Sequence, residues 1–304
     1  MFDVLIIGSG PSGMTCAIYA KRFNLKVGIF ENECPGGEIV KNSAIQNYPG
    51  FSSIDGTDLA MKMFSQMTEL GVEYLGEKII KIEKKAECDF EVHTSEGLIY
   101  KSKSVVVATG TRDRTLGLES EEKYFYNGIS WCAVCDGPIY KDMEVAVVGG
   151  GLSAISSALT LARTSKKVHL IHRRDEFRGE KVDLEKLKSL DNVIIHTNSQ
   201  IIKMENRNNE RKLDTLTIQN KEGNTKEISV ACLFECVGKL PNNQFLSEDI
   251  ELDNEGFIIV DEDMQTSVKG IFACGDIISK KVRQIATAVN DGAIAGISAN
   301  KYVN

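Results

Sequence analysis

Cys132-Ala133-Val134-Cys135-Asp136 packs more reactive chemistry into five residues than any other segment of the chain. Two thiols separated by two residues can be half of a zinc site, a structural pair, or a redox dithiol that opens and closes with little backbone change. A structural zinc ion needs four ligands, and the remaining cysteines offer no second pair of that kind. Cys232 and Cys236 lie in the apolar run 231–237, where inert buried thiols are the simpler reading, and Cys16, Cys34, Cys88 and Cys274 have no partner by spacing. No metal is therefore expected. A redox pair needs a proton for its leaving thiolate, and a carboxyl drawn partly out of water, as Asp136 could be, has its pKa raised toward that task. The plainer alternative is that Asp136 caps a turn with Gly137-Pro138.

The second reactive pattern is glycine spacing. Gly8, Gly10 and Gly13 form GxGxxG, and Gly149, Gly151 and Ala154 form GxGxxA. Such turns let backbone N–H groups at the start of a helix approach a pyrophosphate with no Cβ in the way. One such match is weak, but here an offset of 141 residues lays Gly149 on Gly8 and Lys167-Val168 on Lys26-Val27 without a gap. Each turn follows a short β-branched run, 4–7 or 145–148, and precedes a helix-compatible stretch, 14–23 or 155–163. The elements that must position the chemistry are thus two copies of strand, turn, helix, strand, and the expected fold class is α/β with two Rossmann-like nucleotide-binding domains. Glu31, 23 residues after Gly8, suits the ribose hydroxyls of an adenosine with a free 2′-OH. The shifted position is His172, followed by Arg173 and Arg174, which suit a 2′-phosphate and favour NADPH over NADH. A solvated basic patch is the competing reading.

Length and composition bound the rest. The 304 residues fit two domains, and 42% hydrophobic with 26% charged side chains is an ordinary globular composition. A formal charge of −7, from 36 basic and 43 acidic residues, argues against nucleic acid as the main partner. No apolar run approaches the ~18 residues of a membrane span, and Val4 to Ile7 lacks the flank and length of a signal peptide, so a cytoplasmic, membrane-free protein is expected. Eight cysteines are too sparse for a secreted disulfide scaffold.

Taken together, these segments resemble the low-molecular-weight thioredoxin reductases of bacteria, over almost the whole chain. The resemblance is carried by the first glycine turn with Glu31, Pro35-Gly36-Gly37, Gln46-Asn47-Tyr48-Pro49-Gly50, Ala108-Thr109-Gly110, the CxxC segment with Asp136-Gly137, the second glycine turn, His172-Arg173-Arg174 with Arg178, and Gly275-Asp276 followed by Arg283-Gln284. It implies an FAD domain of residues 1–112 and 243–304, interrupted by an NADPH domain of residues 113–242 that carries the CxxC. FAD would be held by Gly8, Gly10, Gly13, Glu31, Gly37, Asn47, Thr109, Gly110, Gly275, Asp276, Arg283 and Gln284. NADPH would be held by Gly149, Gly151, Ala154, His172, Arg173, Arg174 and Arg178. The implied reaction passes hydride from NADPH to FAD, opens a Cys132–Cys135 disulfide with Asp136 as acid, and reduces thioredoxin. Cys135 would face the flavin and Cys132 would attack the substrate. The two crossings resemble a hinge, and the family is usually a homodimer.

Some positions depart from the family pattern. Leu152 and Ser156-Ser157 stand where a polar residue and two acidic residues are usual, Glu38 would set a negative charge near the flavin, Val134 replaces threonine, and Asn290 replaces a small residue. They motivate a second expectation, a related flavoprotein fed by another donor such as ferredoxin or acting on a specialised protein disulfide. A third, of another class, is a nucleotide-binding redox sensor whose cysteines record oxidation without turnover.

Overall fold

The computed structural model describes residues 1–42, 45–119, 121–178, 181–207 and 212–304. The chain opens with β1 (Phe2–Ile7), α1 (Pro11–Arg22) and β2 (Val27–Phe30), followed by α2 (Gly56–Glu69), β3 (Glu73–Leu75), β4 (Ile79–Ala86), β5 (Asp89–Thr94) and β6 (Ile99–Val107). Val4, Leu5, Ile6 and Ile29 are fully buried, as befits central parallel strands covered on both faces. β7 (Thr111–Asp113) then leads out of this unit.

The second unit repeats the opening. After β8 (Ile129–Ser130) and the single-turn α3 (Ala133–Asp136) come β9 (Glu144–Val148), α4 (Leu152–Ala162) and β10 (Lys167–Ile171). α1 and α4 begin at Pro11 and Leu152, the same 141-residue offset as the glycines. The unit continues with α5 (Lys181–Lys188), β11 (Val193–His196), β12 (Ser199–Glu205), β13 (Thr215–Asn220), β14 (Thr225–Ser229) and β15 (Cys232–Glu235). β16 (Lys239–Pro241) pairs with β7, and the chain returns to the first unit for β17 (Ile271–Ala273) and α6 (Ile285–Val303).

The first unit's sheet runs β3-β2-β1-β6-β5-β4, with β17 also on β6. β3, β2, β1, β6 and β17 pair in parallel, whereas β5 pairs antiparallel with both β4 and β6. The second unit has a parallel sheet, β11-β10-β9-β15-β8, and a separate antiparallel sheet, β12-β13-β14. Its core lies in two clusters, one containing Ala146, Ile171 and Leu216, the other Val145, Val147 and Leu161. Val145 to Val147 alternate between them because successive strand side chains point to opposite faces.

The compact units are Met1–Arg112 with Leu240–Asn304, and Asp113–Lys239. The second crossing therefore falls between residues 239 and 240 rather than after 242. Asn242 explains the shift: its backbone and side chain bond to Thr109 and Gly110 of the first unit, with Thr109 Oγ1 donating to Asn242 O at 2.8 Å and Asn242 Nδ2 donating to Thr109 O at 3.0 Å. Among the described residues no helix is long and apolar enough to cross a membrane.

Candidate functional site

In the second unit Cys132 and Cys135 form a disulfide across one helical turn. Cys132 is the N-cap of α3, and its Sγ accepts a hydrogen bond from the Cys135 N–H at 3.2 Å. A sulfur that already faces a backbone donor at a helix start is better able to carry negative charge. The side chain of Ser130, two residues earlier, accepts from the Cys132 N–H at 3.1 Å and donates to Asp136 Oδ2 at 2.6 Å. Ser130 is buried, and it ties the carboxyl to the peptide that carries the cysteine. Burial raises the Asp136 pKa, and the Ser130 hydrogen bond offsets part of the rise. Ser130 was absent from the sequence expectations; its only signal was a serine two positions before the CxxC.

The other thiols in this unit are quiet. Cys232 is fully buried in β15 and burial pushes its pKa well up. Burial likewise pushes Cys236 up to about 11, and its Sγ rests 3.4 Å from Ser157 Oγ. Ser157 is thus turned toward Cys236, while Leu152 and Ser156 are exposed on α4.

The second glycine turn joins β9 to α4. Gly149 has φ of +147°, and a Cβ there would lie 2.4 Å from Cys236 O. Nothing lies within 4 Å of a Cβ built on Gly151, so the space over the helix start is open. α4 has no side-chain cap and no acidic residue in its first turn, which leaves its N–H groups for an anion. Ala154 is buried beneath Gly149. Arg173, Arg174 and Arg178 are exposed, and among the described residues none is paired with a carboxylate. The backbone of Arg178 is anchored to the turn by its N–H to Gly150 O, 2.7 Å.

His172 is placed differently from a ligand-facing residue. Its ring is buried behind the turn, where a Cβ on Gly150 would lie 2.0 Å from Cε1. Nε2 donates to Glu176 O at 3.0 Å and the ring packs on Phe177 at 4.8 Å. Burial lowers its pKa, so the neutral ring braces the turn against the arginine loop.

In the first unit the equivalent turn is more tightly closed. A Cβ on Gly13 would stand 1.9 Å from Gly8 O, whereas Gly10 faces open space. α1 has Pro11 at its first position, no side-chain cap and no acid in its first turn. Glu31 Oε2 accepts from the N–H and Oγ of Ser9, at 3.1 and 3.0 Å, which holds a carboxylate beside the turn at the end of β2. Gly37 lies over Gly10, 3.5 Å from Cβ position to Cα. Glu38 is half-buried and paired with Lys41 at 2.5 Å, so its charge is compensated locally.

The late segments converge on this turn. Gly275 has φ of +82° and abuts Ser12, and Asp276 follows in a short 3-10 turn. Arg283 folds back to donate to Asp276 O and Ile278 O, each at 3.3 Å, with its guanidinium 4.1 Å from the Phe257 ring centre. Gln284 caps α6 and its Oε1 accepts from Asn47 Nδ2 at 3.0 Å, which unites two residues 237 positions apart. Thr109 and Gly110 end the path of β6, bound to Asn242. Open glycine turns, uncapped helix starts and a carboxylate in one unit against guanidinium groups in the other are a donor set that fits two different dinucleotides.

Comparisons with known proteins agree with this geometry. Residues 2–292 match the family described as pyridine nucleotide-disulphide oxidoreductase. The chain is 42% identical to a thioredoxin reductase of Mycoplasma pneumoniae over 97% of this chain and 93% of that protein. It is 39% identical to one of Listeria innocua, over 100% and 94%. Among solved structures, the thioredoxin reductase of Streptococcus pyogenes is similar at a TM-score of 0.88 and 41% identity, covering 99% of this chain and 98% of that one.

Proposed function

The chain belongs to the pyridine nucleotide-disulphide oxidoreductase family, and on that premise we propose that it is a thioredoxin-disulfide reductase using FAD and NADPH. Family membership implies a flavin and a pyridine nucleotide. The observation that carries the finer reading is the Cys132–Cys135 disulfide, with its Ser130-held carboxyl, in the unit that also bears the arginine-flanked glycine turn. When bound, the flavin supplies hydride acceptance from the nicotinamide and delivery of two electrons to a disulfide.

The chain's own residues do the rest. Gly8, Gly10, Gly13 and the start of α1 would hold the FAD pyrophosphate, with Glu31 on the ribose and Gly37, Asn47, Thr109, Gly110, Gly275, Asp276, Arg283 and Gln284 along the remainder. Gly149, Gly151, Ala154 and the start of α4 would hold the NADPH pyrophosphate, with Arg173, Arg174 and Arg178 on the 2′-phosphate. Two electrons open Cys132–Cys135 to a thiol and a thiolate, and Asp136 moves the proton that balances the charge. The Cys132 thiolate attacks the thioredoxin disulfide and expels one substrate thiolate. Cys135 then attacks Cys132, re-forms the disulfide and releases the second substrate thiolate; protonation of both completes the reduced product. A homodimer in the reducing cytoplasm is part of the same proposal, by resemblance to the family.

The test is a visible spectrum of the purified protein followed by anaerobic titration with NADPH and with NADH. A yellow protein bleached faster by NADPH, reducing thioredoxin in a way abolished by Cys132→Ser, is expected. A colourless protein that does not take up FAD refutes the reading. Bleaching by reduced ferredoxin and not by NADPH would replace the donor.

A further inference from the structure

Two buried glutamates lie in the second unit, outside the reaction as described so far. Glu121 and Glu235 are each 3% exposed. Both Glu121 oxygens accept backbone donors, from Leu116 and Leu118, each at 2.8 Å. Glu235 Oε2 accepts from Trp131 Nε1 at 3.2 Å, while its buried Oε1 receives no donor. A proton on Oε1 would turn this buried acceptor into a donor toward the neighbouring Glu121 carboxylate. Both Glu121 oxygens are already served by N–H groups, so it is Glu235 that lacks a donor. Burial and the Glu121 charge push the Glu235 pKa up to about 9. The other acid near the pair, Asp113, is bound to Lys239 at 2.6 Å.

The location gives the pair its meaning. β8 and β15 are parallel partners for only two residues, Ile129 with Leu233 and Ser130 with Phe234. Beyond them the ladder ends and the chain enters Trp131 and then Cys132. Glu235 is the next residue of β15, and its side chain reaches the next residue after β8. The indole is also held edge-on by Phe125 at 5.0 Å and Tyr126 at 5.8 Å. On its other side β15 pairs Glu235 with Val148, which precedes the second glycine turn.

We propose that Glu235 is a positioning residue for the redox pair: its protonated carboxyl carries the grip of β15 one residue past the ladder, onto Trp131, and so fixes the backbone leading into Cys132. The inference rests on Cys132–Cys135 being the working disulfide. Loss of the proton sets two buried anions together and pushes Glu235 away from Glu121, so the grip weakens as pH rises through that group's titration.

The test uses the holoenzyme and its single tryptophan. Glu235→Leu removes the acceptor, and thioredoxin turnover is expected to fall about tenfold relative to reduction of an artificial dye, which bypasses the disulfide. Glu235→Gln keeps the shape, can accept from Trp131 and donate to Glu121; it should restore turnover at neutral pH and lack the alkaline decline near pH 9 expected of the wild type. Tryptophan emission should titrate in the same range in the wild type and not in the glutamine variant. Trp131→Phe, which keeps a ring and deletes the donor, should lower turnover alike and make a further Glu235→Gln change silent. The inference is overturned if leucine matches the wild type, if glutamine does not rescue, or if wild type and glutamine variant share one alkaline limb and one emission profile. A wild type inactive on thioredoxin whose tryptophan still titrates tells against the proposed function and in favour of the Glu235–Trp131 link.

Discussion

Gly150→Ala is the sharpest test of how the second glycine turn serves its nucleotide. The added methyl would fall 2.0 Å from His172 Cε1 and 2.3 Å from both ring nitrogens. Carbon atoms rest at about 3.5–4.0 Å, so the ring must retreat by roughly 1.5 Å. It cannot swing aside cheaply, because it is buried, bonded through Nε2 to Glu176 O and packed on Phe177. Retreat loses a hydrogen bond worth about 1 kcal/mol and adds about 1–3 kcal/mol of overpacking. The strain is delivered to the segment 172–178, which is also fastened to Gly150 through the Arg178 N–H. Arg173, Arg174 and Arg178 would shift from the positions proposed to hold the 2′-phosphate. At ~1.4 kcal/mol per tenfold, the whole of that ~2–4 kcal/mol falling on binding would raise the KM for NADPH by roughly 30- to 700-fold. NADH lacks that phosphate and its KM should rise far less, so the preference collapses. Steady-state dye reduction with each nucleotide measures this, and a melting curve checks folding. His172→Ala in the Gly150→Ala background removes the clash and should recover part of the NADPH affinity. A folded Gly150→Ala protein with unchanged NADPH KM, or with equal losses for both nucleotides, would refute the reasoning.

Two further outcomes follow from the titrating groups. Asp136→Asn should lower disulfide turnover by about 10²- to 10³-fold. Because burial raises the wild-type carboxyl's pKa and its protonated form is the donor in the proposed reaction, wild-type turnover should decline as pH rises past that pKa, and the pH profile of the asparagine variant should lack this limb. His196 is pushed down to about 4 by burial and by His169, whose Nδ1 stands 3.0 Å from its Nε2, with Lys226 adding to the effect. Between pH 6.5 and 4 the unfolded chain binds more protons at this group than the native chain does. Stability is therefore intact above pH 6.5 and lost as pH falls toward 4, by up to about 3 kcal/mol. Urea midpoints across that range should fall in the wild type and fall less in His196→Gln; equal slopes would contradict the assignment.

The parts of this molecule that sequence reveals are those whose physics is local. A strand, a glycine turn and a helix start within about twenty residues need particular spacings to clear backbone oxygens. That is why Gly8 and Gly149 found each other at an offset that the starts of α1 and α4 reproduce. The CxxC, which closes a disulfide across a sequence separation of 3, is local in the same way. His172 shows the limit of transfer by offset. Its position in the repeat matches that of Glu31, yet its ring turns inward to fill the space that Gly150 leaves, whereas the Glu31 carboxylate stays beside Ser9. Register predicts where a residue sits on the backbone; the neighbour's volume decides which way its side chain faces.

What sequence left hidden depends on partners far along the chain. Asn242 falls inside the domain 113–242 that the resemblance implies, yet its bonds to Thr109, 133 residues away, tie it to the first unit. Glu235 is the one charged residue of the apolar run 231–237, and its partner Trp131 lies 104 residues earlier. An isolated glutamate in such a run is costly to bury, and that cost is itself a signal. A carboxyl persists in a strand core when something there needs its oxygen or its proton. In this unit the inferred need lies where the β8–β15 ladder runs out, one residue before the cysteine proposed to attack the protein substrate. Backbone pairing of β8 with β15 does not extend past Ser130 and Phe234. A side-chain bond does, so the strand's hold on the chain passes from main chain to side chain at the residue where the chemistry begins.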